Sequence, residues 1–156
     1  MRTDRATLTT LFEGAPRFVD RLMAFDPEPE AWDDLLYQAE WTALTMPEDE
    51  QIELLDAHPR IGAAPGSVST LSYGEQGYDQ DAGTAQLQAR LDRLNEAYER
   101  RFGFRFVVFV NGRSRAEIAE VVESHLDGER VAEKMRGLRD VISIARARLA
   151  KLPSLP

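Results

Sequence analysis

VAEKMRGLRDVISIARARL, residues 131–149, sets the period for the whole chain. Val131, Met135, Leu138, Ile142, Ala145 and Leu149 recur at three- and four-residue spacings, which places them on one face of a helix. The same period runs from Trp32 to Leu44 and from Ile52 to Leu55. Over Thr84 to Phe102 it sets Leu87, Leu91, Leu94 and Tyr98 on one stripe, and Gly103 supplies a stop. Ser114 and Glu117 form a capping box ahead of Ile118, Val121, Val122 and Leu126. In TMPEDEQIELL, Thr45, Pro47 and Glu48 give a further capping pattern.

Two stretches break the period. IGAAPGSVSTLS, residues 61–72, is rich in Gly, Ser and Pro and reads as an ordered loop. FGFRFVVFVNG, residues 102–112, has strand propensity and ends in an Asn-Gly turn signal. A lone strand has nothing to pair with, so an extended segment packed among helices is expected, its backbone groups satisfied elsewhere or by a ligand. The expected fold is all-α: a single-domain bundle of about seven to eight helices over residues 1–156, with one extended segment near 104–110.

Composition narrows the function. A net charge of −8 opposes nucleic acid and anionic membranes, so neither is an expected partner. The absence of cysteine removes disulfides, a thiolate nucleophile and cysteine metal sites. No apolar run approaches the roughly 18 residues that cross a bilayer. MRTDRATLTT has no leader-like apolar region and KLPSLP is not a peroxisomal address, so a cytoplasmic location is expected. The carboxylates are scattered and there are only two histidines, so no metal is expected. Phosphate-binding glycine loops, nucleophile elbows and dinucleotide fingerprints are missing.

The chemistry-bearing candidates lie at helix ends. In AHPRIGA, residues 57–63, Pro59 forces the residue before it out of the helical region, so the helix should stop near Ala57 with His58 at its negative end. That placement favours the imidazolium and a general acid; it equally suits a histidine that merely caps a helix. In SYGEQG, residues 72–77, Ser72 and Glu75 match a capping box, whose N–H donors could also hold an anion. Gln76 adds a donor and an acceptor suited to a ureido group. Arg146 and Arg148 flank the end of the last apolar stripe, where most arginines are solvated, and Arg60 could attract an anion beside His58. His125, next to Leu126 on an amphipathic helix, reads as a packing residue.

Taken together, LLDAHPRIGA, SYGEQG, LDRLNEAYERRFGFRFVVFVNGRSRAEI and IARARL resemble the 2-oxo-4-hydroxy-4-carboxy-5-ureidoimidazoline (OHCU) decarboxylase family, over nearly the whole chain. That family catalyses the last step from urate to (S)-allantoin. The resemblance implies an all-helical homodimer with no metal or organic cofactor and a small anionic ureidoimidazoline as substrate. It places the catalytic histidine at His58, with Glu75 as a second catalytic residue. Pro59, Ser72, Gln76, the extended Phe106, Val107, Val108, Phe109 and Val110, and Arg148 fall on substrate-binding positions. The chain departs from the family where HPRIG replaces the commoner HPDLG, putting Arg60 in place of an acid, and at EQGYD.

The implied reaction suits those residue types. Electrons left by CO₂ can delocalise within the substrate itself, so neither pyridoxal phosphate nor thiamine is required. The protein then supplies orientation, donors for the growing oxyanion, and a proton to one face. Backbone N–H groups of 106–110 suit the second task and His58 the third, with Glu75 orienting His58 or the substrate hydroxyl. Two other readings stay open. One is a decarboxylase of a related ureido or imidazoline compound, which the HPRIG variant allows. The other is a non-catalytic helical interaction module, which should show damage at His58, Glu75 or Gln76; all three are intact.

Overall fold

The computed structural model describes residues 4–25, 31–62 and 85–151. Among them are seven helices and no strand: α1 (Arg5–Leu11), α2 (Pro16–Ala24), α3 (Trp32–Thr45), α4 (Glu48–Ala57), α5 (Ala85–Phe102), α6 (Arg115–His125) and α7 (Arg130–Lys151). The all-α expectation holds, and no described helix is long and apolar enough to cross a membrane. The chain forms two compact units, Met1–His58 with Met135–Pro156, and Pro59–Lys134.

In the first unit, local signals start each helix. Asp4 accepts the Thr7 N–H at 2.8 Å and caps α1. Pro16 opens α2, where its missing N–H costs nothing. Glu48, Asp49 and Glu50 fill the first turn of α4, at the positive end of its dipole. Helix α2 packs on α1, α3 and α4. The buried side chains include Leu8, Leu11, Phe12, Phe18, Val19, Leu22, Leu35, Leu36, Leu54 and Leu55. Arg17 ties α2 to Asp49 at 2.8 Å and Glu53 at 2.6 Å on α4. The capping pattern expected at Thr45 does not form. Thr45 is the last residue of α3, its hydroxyl donates back to the Trp41 carbonyl at 2.7 Å, and α4 starts after Pro47 with no side-chain cap. A threonine hydroxyl can satisfy itself on its own helix as readily as on the next.

The second unit is built on α5 against α6. Ser114 and Glu117 form the expected capping box of α6 in both directions. Helix α5 ends at Gly103, whose N–H reaches the Glu99 carbonyl at 2.8 Å with φ 83°. The face it buries is Leu91, Asn95, Tyr98 and Phe102, not the expected Leu87 and Leu94, which are half-buried. Tyr98 is enclosed by Phe102, Phe104 and Phe106, with ring centroids 4.5, 6.0 and 5.0 Å away. Its hydroxyl donates to Glu133 at 2.8 Å, and Glu133 also meets His125 at 2.8 Å. His125 therefore packs, 6.1 Å from the Phe106 ring, and also makes a hydrogen bond to Glu133 that no sequence signal disclosed.

Candidate active site

Helix α4 ends as its sequence requires. His58 leaves the helix with φ −79° and ψ 141°, the extended conformation that Pro59 imposes, while its N–H still reaches the Leu55 carbonyl at 3.1 Å. The ring turns inward and is 4 % exposed. Its Nδ1 lies 3.0 Å from the Leu54 carbonyl. A carbonyl only accepts, so Nδ1 carries the hydrogen and, in the neutral ring, Nε2 is the basic nitrogen.

The expected charge on that ring is reversed. Burial pushes the His58 pKa down to about 4, so the ring is neutral at pH 7. Arg148 adds to the depression, while the Leu54 carbonyl and the Glu13 carboxylate oppose it. The helix end does what a dipole should, through the Leu54 carbonyl, but desolvation of the whole ring outweighs it.

Arg148 is 1 % exposed and continues the buried stripe of Leu138, Val141, Ile142 and Ala145. Val131, the expected start of that stripe, is 52 % exposed. The Arg148 guanidinium donates from Nη1 to the Thr10 carbonyl at 2.9 Å and the Leu11 carbonyl at 3.2 Å. It meets Glu13 through Nη2 at 2.6 Å. An arginine thus satisfies the last carbonyls of α1, which no further helical turn can reach. Arg146, the other candidate, is exposed and pairs with Asp33 at 2.9 Å.

The turn after Pro59 is held by three side chains of α5. Asn95 donates to the Ile61 carbonyl at 2.7 Å, Gln88 to the Gly62 carbonyl at 2.7 Å, and Glu99 pairs with Arg60 at 2.8 Å. Arg60, the departure from the family pattern, pairs with Glu99 in this turn. Among the described residues the extended segment takes no strand assignment, as expected: Phe106, Val107, Val108 and Val110 are buried and Phe109 half-buried. Arg113 takes the Phe109 and Val110 carbonyls at 2.7 and 3.0 Å, so some of its backbone is satisfied by a side chain. Asn111 and Gly112, with φ 51° and 78°, make the predicted turn.

The first unit therefore brings together His58 and Arg148, and adds Glu13. Ser72, Glu75 and Gln76 lie outside the described residues. Sequence reasoning missed Glu13 and Asn95. Asn95 had a signal, since it occupies a core position of the α5 stripe; Glu13 had a weaker one, a charge between Phe12 and Gly14 at a helix end.

Comparison with known proteins gives a consistent picture. A family model described as OHCU decarboxylase matches residues 2–150. The uric acid degradation bifunctional protein of Bacillus subtilis is 31% identical over 150 residues, covering 94% of this chain and 29% of that protein. The 2-oxo-4-hydroxy-4-carboxy-5-ureidoimidazoline decarboxylase of Haloferax volcanii is 31% identical over 103 residues, covering 66% of this chain and 61% of its own length. The chain thus spans less than two thirds of either curated relative. Among solved structures, an OHCU decarboxylase in the presence of (S)-allantoin superposes with a TM-score of 0.73 at 21% identity, covering 96% of this chain and 99% of that one. At that identity the likeness speaks for the fold.

Proposed function

Because the chain belongs to the OHCU decarboxylase family, we propose that it converts 2-oxo-4-hydroxy-4-carboxy-5-ureidoimidazoline to (S)-allantoin in urate degradation, without a metal or organic cofactor. The observation that carries this reading is the buried, neutral His58 whose tautomer is set by the Leu54 carbonyl, in the electrostatic field of the Arg148–Glu13 pair.

The substrate bears its carboxylate and a hydroxyl on one ring carbon and its ureido group on the next. When the bond to the carboxylate breaks, CO₂ leaves and the electron pair enters the ring. The hydroxyl must then lose its proton to become a carbonyl, the adjoining carbon must gain one to become the stereocentre, and the ring nitrogen that took up the electron pair takes a proton from solvent, balancing the charge left by the carboxylate. A histidine with Nδ1–H fixed and Nε2 basic suits the first two transfers: it takes the hydroxyl proton, becomes imidazolium, and returns a proton to one face of the carbon. Starting as base rather than acid follows from the depressed pKa.

The other roles follow the family motif. Arg148 sets a positive potential for the anion, its orientation fixed in advance by the α1 carbonyls and Glu13. Ser72, Glu75 and Gln76 hold the ureido and hydroxyl groups, Glu75 also assisting His58. Pro59 and the backbone of 106–110 line the substrate, with N–H groups there receiving the developing oxyanion. The same reading takes residues 1–156 as one helical domain, working as a cytoplasmic homodimer.

The test generates the substrate in situ from urate with the two upstream enzymes and follows optical activity. The wild-type chain should give allantoin of one hand. His58→Asn should lower kcat by roughly 10²- to 10⁴-fold, the usual contribution of a general acid–base group, and leave racemic residual product. A single enantiomer at close to the original rate from His58→Asn would return His58 to the role of a helix cap.

A further inference from the structure

One half-buried acid of the first unit, Glu13, belongs to none of the motifs above. Glu13 follows α1 at the position where a helix ending in a left-handed turn commonly has glycine. Its φ is 54°, and Gly14, with φ 81°, closes the turn by donating to the Thr9 carbonyl at 2.9 Å. A non-glycine side chain there is strained against its own backbone, and such strain persists where the surroundings hold it, often at functional sites.

The surroundings do hold it. The Glu13 side chain is 14% exposed and receives Arg148 Nη2 at 2.6 Å, while Nη1 of the same guanidinium donates to the carbonyls of Thr10 and Leu11. The turn and the arginine thus fix each other. Among the described residues the charged groups acting on His58 are Arg148 from α7 and Glu13 from the turn after α1, with opposite sign. Arg148 disfavours a proton on the ring and Glu13 favours one. A reaction that passes a proton through a buried histidine forms an imidazolium beside a buried arginine, and that state needs a nearby anion.

We propose that Glu13 is a positioning residue for the His58 reaction: it clamps Arg148 in one orientation and supplies the negative charge against which His58 carries the substrate's proton in mid-reaction. This rests on the decarboxylase reading above. A purely structural ion pair would account for the bond to Arg148, but its loss would lower kcat only as far as it lowers stability.

The experiment compares wild type, Glu13→Gln and Glu13→Asp. Glutamine keeps the shape and an acceptor oxygen for Arg148 while removing the charge; aspartate keeps the charge but withdraws it by one methylene. The measurements are kcat and KM, thermal melting, and an NMR titration of the His58 ring, assigned against His125. Glu13→Gln should lower kcat by more than its loss of stability accounts for, because a weaker base takes the substrate's proton less readily. KM should change less, the His58 titration should move to lower pH, and Glu13→Asp should fall between the two. Unchanged kcat and titration in Glu13→Gln overturn the proposal, as does a kcat loss that only tracks unfolding while the titration stays put. If Glu13→Gln does not fold, wild type against Glu13→Asp decides, since kcat and titration must both drop. Absence of turnover by the wild-type chain overturns the decarboxylase reading and this inference with it, whereas wild-type turnover with an indifferent Glu13→Gln overturns this inference alone.

Discussion

Replacing His58 with asparagine should change how stability depends on pH, quite apart from any effect on turnover. The native ring titrates at about 4 against an ordinary 6.5. An unfolded chain therefore binds a proton below about pH 6.5 that the folded chain refuses until about pH 4. Stability rises with pH wherever the unfolded state holds more protons, so the His58 contribution is intact above 6.5 and is lost as pH falls toward 4. The gap of about 2.5 units, at about 1.4 kcal/mol each, comes to about 3.5 kcal/mol in all. Most of it, roughly 2–3 kcal/mol, should be lost by about pH 4.5, which is a sizeable share of the ~5–15 kcal/mol that holds a typical domain together. Asparagine keeps an N–H for the Leu54 carbonyl and cannot titrate. Urea unfolding at a series of pH values between about 7 and about 4.5 isolates the term, because carboxylates acidify alike in both proteins. Wild type should lose roughly 2–3 kcal/mol more than His58→Asn over that range. Parallel curves would refute the burial argument. A wild type that gains on the variant as pH falls would show that the helix dipole wins and the ring is charged.

Arg148→Ala should be among the most damaging single changes in the first unit. It leaves Glu13 charged and mostly buried and strips the Thr10 and Leu11 carbonyls of a donor, and breaking a buried pair costs about 3–5 kcal/mol, readable as a drop in the urea midpoint. Gly62→Ala should cost about 1–2 kcal/mol through its φ of 82°, and its new Cβ would lie 3.0 Å from Leu91 Cδ1. A melting temperature equal to wild type would show that the turn after Pro59 adapts without strain.

Helix identity was legible in the chain because it is decided locally. Period, caps and breakers act within a few residues, so the ends at Ala57 and Gly103, the box at Ser114 and the turn at Asn111 all stand where the sequence puts them. The exception at Thr45 is instructive, since its hydroxyl had two local partners of similar worth and chose the preceding turn. The family motif likewise singled out His58 and Arg148 without any knowledge of packing.

Burial, and whatever depends on it, was decided only in three dimensions. A helix wheel places Val131 and Arg148 near one stripe but does not reveal that the valine faces solvent and the arginine is enclosed. That depends on which neighbours cover each turn. The charge of His58 follows the same logic: from sequence the helix terminus argued for a proton, and only the tertiary structure supplied the desolvation that removes it. Glu13 reaches Arg148 across 135 positions of chain, an ion pair no local pattern encodes. The sequence by itself determined where the helices are and which residue types could do the chemistry; the packing determined which of them are dry, and dryness sets both pKa and the strength of every charge nearby.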